Sequence, residues 1–212
     1  MSKIAFEYDL VVLTAGKGES EIIKALIEKR QSSLGIKSIK CAPPLIHPRR
    51  DPGCLHESPQ VLQSFVRRAA YALVVFDWEG SGREETSPSD LEEEVTVALA
   101  DKGWKDRCSV VVIAPELESW IWVDSPHVSR TLGWGDDYAA LIKALANRGF
   151  VFSGGKPERP KEAVEASLRE KRIQPSAALY GEIASKVSLS RCTDRSFQKL
   201  RSQLAGWFGA VP

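Results

Sequence analysis

The sequence predicts an α/β protein built on a parallel sheet of about four strands with a helical C-terminal extension. Three observations carry this reading. Residues 10–13 and 71–76, and 109–114 after its opening Ser109, are continuous apolar runs of strand length, the pattern of strands covered on both faces. Amphipathic helical stretches separate them. Beyond residue 117 the chain reads as helices throughout.

The elements follow in order. Residues 10–13 form the first strand, closed by the turn-forming Ala15-Gly16-Lys17-Gly18. Residues 19–30 carry apolar side chains at 22, 23, 26 and 27, the one-face spacing of a helix. Residues 36–41 read as a short second strand. Residues 43–59 hold five prolines and one glycine and read as a long irregular excursion. A helix is expected over 61–68, then a strand over 71–76 ending at Asp77. The polar loop 80–88 leads to Ser89, read as an N-cap with Glu92 three residues on, for a helix to about 102. The strand 109–114 follows. Helices are expected over 117–123, 138–148, 161–171, 176–187 and 196–208. The division is an α/β domain over 1–124 and a helical extension over 125–212 packed on it.

Composition narrows the function. Of 212 residues, 43% are hydrophobic and 27% charged, which excludes disordered and fibrous classes. The 29 Lys+Arg nearly cancel the 28 Asp+Glu, so a nucleic-acid site must be a local patch rather than a whole-protein field. No apolar run reaches the roughly 18 residues that span a bilayer, and residues 1–9 do not read as a signal peptide. Four cysteines (Cys41, Cys54, Cys108 and Cys192) are too few for a secreted disulfide framework. The expectation is a cytoplasmic protein without a membrane partner.

In an open parallel sheet, ligands bind beyond the carboxyl ends of the strands. Asp77 and Glu79 follow the third strand, Glu116 and Glu118 the fourth, and Asp124 lies two turns further on. Asp77 and Glu79 alternate along an extended segment and can face one ion. Clustered carboxylates suit Mg²⁺ or Mn²⁺, hard cations that take oxygen ligands. Each acid alone also fits a helix-terminal or solvated loop charge, Glu116 most readily. The turn Ala15 to Gly18, with Lys17, resembles a phosphate cradle but lacks the full P-loop pattern, and a simple strand-to-helix turn is the preferred reading.

Three weaker features remain. Cys41, His47, Cys54 and His56 are competent zinc ligands, but their spacing matches no standard finger and zinc is not the expected metal. Arg49, Arg50, Arg67, Arg68, Lys156, Arg159 and Lys161 are candidates for phosphate-backbone contact, each also readable as a solvated charge. Trp78 in the site loop is a candidate for base stacking. Trp120 and Trp122 are expected on different helix faces, one of them exposed, whereas Trp104, Trp134 and Trp207 read as core or interface.

These motifs together carry a resemblance. Gly16-Lys17-x-Glu19 opens a helix, Asp77-x-Glu79 follows a central strand, and Ile113-Ala114-Pro115-Glu116-Leu117-Glu118-Ser119-Trp120 is followed by Asp124. The tail adds Pro160-Lys161, Tyr180, Arg191-Cys192, Phe197 and Leu200. Over nearly the whole chain they resemble a bacterial Toprim-like family without assigned function, related to the Toprim folds of primases, topoisomerases and overcoming-lysogenization-defect nucleases. The Glu-Leu-Glu-Ser-Trp segment is the most specific motif.

The resemblance implies a four-stranded parallel sheet, a divalent-metal site and phosphodiester chemistry. It also implies genes neighbouring anti-phage systems, a methylation-associated defence system among them, and hence nucleic acid and other defence proteins as partners. On that basis Asp77, Glu79, Glu118 and Asp124 would hold Mg²⁺ or Mn²⁺. Glu19 or Glu21 would supply a base, and Lys17 would stabilise phosphate charge. One position departs from the pattern. Toprim families usually carry an acid just before the first glycine, and here that position is Ala15. The departure keeps two other readings open, a catalytically weak partner-binding subunit and a nucleotide-binding sensor.

Overall fold

A computed structural model describes residues 5–209 and shows an α/β fold around a four-stranded, all-parallel sheet. The strands are β1 (Tyr8–Thr14), β2 (Leu45–Ile46), β3 (Ala69–Asp77) and β4 (Cys108–Ile113), in the order β2-β1-β3-β4. Side chains alternate between the two faces. Leu10, Val12, Leu73, Val75, Val111 and Ile113 enter one core, while Val11, Leu13, Val74, Phe76, Val110 and Val112 enter the other. Both faces are covered, which is why the strands read as unbroken apolar runs.

Helices α1 (Lys17–Lys29) and α2 (Gln31–Leu34) precede β2, and α3 (Arg50–Leu62) follows it. Helix α4 (Pro88–Leu99) joins β3 to β4. The chain then runs through α5 (Pro126–Thr131), α6 (Tyr138–Asn147), a hairpin of β5 (Phe152–Ser153) and β6 (Lys156–Pro157), α7 (Pro160–Glu170), α8 (Ala177–Lys186) and α9 (Arg195–Phe208). Helices α3 and α4 cover one face of the sheet. Helix α1 and the C-terminal helices share the core on the other face, where Ile22 and Leu26 join Trp120, Ile183, Phe197 and Leu200. Glycine at 181 lets α8 approach α1, since a Cβ there would lie 3.2 Å from the Glu21 carbonyl oxygen. Residues 125–209 thus pack on the α/β half through one continuous core. Among the described residues no helix is long and apolar enough to cross a membrane.

Several expectations shift. The second strand is not 36–41. Cys41 makes a single parallel bridge to Leu10, and the paired strand begins at Leu45, beyond Pro43 and Pro44, which have no N–H to donate to a ladder. The excursion 43–59 is not irregular but contains most of α3. Pro52 occupies its first turn, where an N–H has no intrahelical partner anyway. Pro59 lies inside the helix, which ends at Leu62 rather than running over 61–68. The N-cap of α4 is Ser87, whose hydroxyl accepts from the Asp90 N–H at 3.2 Å, with Pro88 next. Glu92 is no capping partner. It is buried, accepts the Val112 N–H at 3.0 Å, and pairs with Arg195 at 2.8 Å and Lys199 at 2.9 Å, tying α4, β4 and α9 together. Over 117–123 there is only a 3₁₀ turn, Leu117–Trp120. Residues 120 to 123 are buried in succession, so this segment has no solvent face to complete an amphipathic helix.

Candidate metal centre

The carboxyl ends of β1, β3 and β4 open into a cleft of about 1140 Å³, walled on the far side by α7 and α8. Each strand end delivers an acid. After β1 the chain turns at Gly16 into α1, and Glu19 in the first turn folds its carboxylate back over that glycine. A Cβ on Gly16 would lie 2.8 Å from Glu19 Oε2. Asp77 is the last residue of β3. Asp51 stands in the first turn of α3, where its Oδ1 accepts the Asp77 backbone N–H at 2.9 Å.

Glu19, Asp51 and Asp77 each offer an oxygen, and these oxygens lie within 4.8 Å of one another. Asp77 as a residue is half-buried, yet its Oδ1 has no solvent contact and no hydrogen-bond partner among the described residues. A buried carboxylate oxygen without a donor is costly, and either a proton or a cation removes the cost. Oxygen donors alone fit Mg²⁺ or Mn²⁺ rather than a sulfur-seeking metal. The crowding shows in the titration of the acids. Burial, then the charges of Asp51 and Glu118, push the Glu19 carboxyl up to about 7, against a pull from Lys161. Burial likewise raises Asp51. Burial, with Glu19, Asp51 and Glu118 adding, holds Asp77 well above the ordinary carboxylate range.

The opposite wall carries a second pair of acids. Glu116 accepts the Lys161 backbone N–H at 2.9 Å and so caps α7, with the Lys161 Nζ 3.9 Å from its other oxygen. Burial and the nearby charges of Glu118 and Glu79 push the Glu116 carboxyl up to about 7, although the Lys161 N–H draws it down. Glu118 is 6% exposed and accepts a hydrogen bond from the Tyr180 hydroxyl at 2.6 Å. Lys161 and Arg159 are cations that line the cleft at the head of α7. Burial disfavours the Lys161 charge, but Glu116, Glu118 and Asp77 outweigh that and raise it.

The other expected residues divide. Lys17, Glu79, Arg49 and Arg50 line the cleft and are exposed, with Arg49 paired to Glu57. Glu79 and Glu118 lie in the same cleft but outside the close triad. Glu21 faces a separate cavity against α8. Asp124 is exposed and outside the cleft lining, its carbonyl taken by Arg191. Trp78 is half-buried and does not line the cleft; its ring packs against the core under α3 and α4 and its Nε1 donates to the Thr86 carbonyl at 2.8 Å.

Trp120 and Trp122 are both buried, donating to Ser196 Oγ at 2.7 Å and the Pro160 carbonyl at 3.1 Å. Trp104 is in the core under α3 and α4, whereas Trp134 and Trp207 pack against the core on the opposite face of the sheet.

The zinc candidates do not assemble. Cys41 packs on the α1 side of the sheet, Cys54 is buried on the α3 side, and His56 is exposed. His47 is buried, accepting the Arg49 N–H on Nδ1 at 3.1 Å and facing Glu57 with Nε2 at 3.3 Å. Burial pushes the Cys41 thiol up to about 11 and raises Cys54 as well, opposing the thiolate that zinc needs.

Asp51 is the residue that sequence reasoning missed. Its signal was Arg50-Asp51-Pro52, an acid followed by proline at a helix start. No protein-family model, curated protein or solved structure matches this chain.

Proposed function

We propose that this chain is a divalent-metal-dependent phosphotransfer enzyme, a nuclease of the Toprim-like class acting on nucleic acid in bacterial anti-phage defence in the cytoplasm. One observation carries the metal reading. Glu19, Asp51 and Asp77 converge within 4.8 Å at the strand ends, with Asp77 Oδ1 buried and unpartnered. In this reading the three carboxylates hold Mg²⁺ or Mn²⁺. Such an ion polarises a phosphoryl oxygen and eases deprotonation of water. Glu116, titrating near 7, is suited to exchange a proton at neutral pH. Lys161, Arg50 and Lys17 supply positive charge toward phosphate. The class and the defence setting come from the motif resemblance.

The test is a thermal-melt titration with Mn²⁺ on the wild type and on Asp77→Asn, followed by incubation with single- and double-stranded DNA and RNA. A ligand at about 100 times its Kd adds roughly 2.7 kcal/mol to the folded state. The wild-type midpoint is expected to rise and that of Asp77→Asn to stay put, with metal-dependent cleavage in the wild type alone. A wild type that ignores Mn²⁺ would remove the metal reading. Ala15 favours a second reading, a partner-binding subunit of a defence complex that keeps the fold. That reading is supported if Mn²⁺ leaves the midpoint unchanged and no nucleic acid is cut at any metal concentration.

A further inference from the structure

Helix α8 reaches into the acidic cleft through Tyr180, beside Lys161 and Glu162 of α7. Its hydroxyl donates to Glu118 Oε1 at 2.6 Å, the short distance of a hydrogen bond to a charged acceptor. Its ring lies against the first turn of α1. A Cβ on Gly18 would come within 3.5 Å of Tyr180 Cδ2 and 2.8 Å of Leu117 Cδ2. Tyr180 therefore contacts both motif segments at once, beside Glu19 on one and at Glu118 on the other.

Glu118 is buried, and the Tyr180 hydroxyl is the side-chain donor that holds its Oε1 in place. Glu118 lines the same cleft as Glu19, Asp51 and Asp77, so its carboxylate faces the space those three share. A cation bound among Glu19, Asp51 and Asp77 is attracted by that carboxylate. Loss of the hydroxyl leaves Glu118 free to turn away, and that change weakens the field at the triad.

We propose that Tyr180 is a positioning residue of the metal centre. By fixing the Glu118 carboxylate it sets the affinity of the Glu19–Asp51–Asp77 triad for a divalent cation. The inference rests on the metal reading above and adds to it that α8 is part of the working site.

The test is calorimetric titration of the metal-free full chain with MnCl₂, on the wild type, Tyr180→Phe, Glu118→Gln and the double variant. Tyr180→Phe keeps the ring on Gly18 and Leu117, and a thermal melt without metal verifies that it folds. Partners that orient a site from outside the metal's own ligands typically change affinity by about 10–100-fold. Tyr180→Phe is expected to weaken Mn²⁺ binding about tenfold and Glu118→Gln at least as much. The double variant should be no weaker than Glu118→Gln, because the hydroxyl acts through that carboxylate. Wild-type affinity in Tyr180→Phe, or additive losses in the double variant, overturns the inference while leaving the metal centre standing. Absence of Mn²⁺ binding by the wild type overturns both.

Discussion

Asp51 and Asp77 are bound to each other, the Oδ1 of the first accepting the backbone N–H of the second at 2.9 Å across 26 positions of sequence. The bond fixes the head of α3 to the end of β3 and brings two carboxylates together with Glu19. Without a cation this is like-charge crowding in a partly buried site, which favours protonated acids and costs stability once they ionise. The same crowding is what supports the proposal of a divalent-ion site.

Asp51→Asn separates the two roles. The amide oxygen can still accept from the Asp77 N–H, while one negative charge disappears. The metal-free variant is expected to match or exceed wild-type stability at about pH 8, by up to about 1–2 kcal/mol. Its midpoint is expected not to respond to Mn²⁺. A variant that melts early and still gains from Mn²⁺ would show that Asp51 only holds the loop.

The acids also set a pH dependence. Glu19 rises from 4.5 to about 7 in the folded chain. Between those values the folded state keeps a proton that the unfolded chain has released, so stability falls as pH rises through the interval. For Glu19 alone the loss is roughly 3 kcal/mol, complete above the folded value, and Asp51 and Asp77 shift the same way. Metal-free melts at about pH 5.5 and about pH 8 should show the lower midpoint at pH 8, with Mn²⁺ restoring it there. A metal-free midpoint higher at pH 8 would contradict the crowded-acid description.

Two glycines give a paired stability test. A Cβ on Gly53 would lie 1.9 Å from His47 Nδ1, directly beneath the turn that carries Asp51. Gly53→Ala is expected to cost about 3 kcal/mol and to weaken Mn²⁺ binding by displacing α3. Gly206, inside α9, has nothing within 4 Å of such a Cβ. Gly206→Ala should instead stabilise by about 0.5–1 kcal/mol through lost chain entropy in the unfolded state. Denaturant melts of both variants read the contrast directly.

The sequence by itself determined three of the four strands and half of the site. The runs at 10–13, 71–76 and 110–114 are apolar on both alternating faces, so a covered parallel sheet follows from local pattern alone. Strand ends then mark Asp77, Glu118 and the turn leading to Glu19, because ligand sites in such sheets lie at those ends. Tertiary structure decided the rest. Asp51 joins the site only because β2 pairs with β1 at Leu13 and Leu45, which sets where α3 begins. Trp78 and His47 looked available in sequence and were taken up by the Thr86 carbonyl and by the Arg49 N–H with Glu57. Tyr180 reaches Glu118 across 62 positions. Periodicity records which face of an element is buried, a property of neighbouring residues. Convergence of side chains from separate elements depends on register and packing depth, which are set by the whole chain closing on itself.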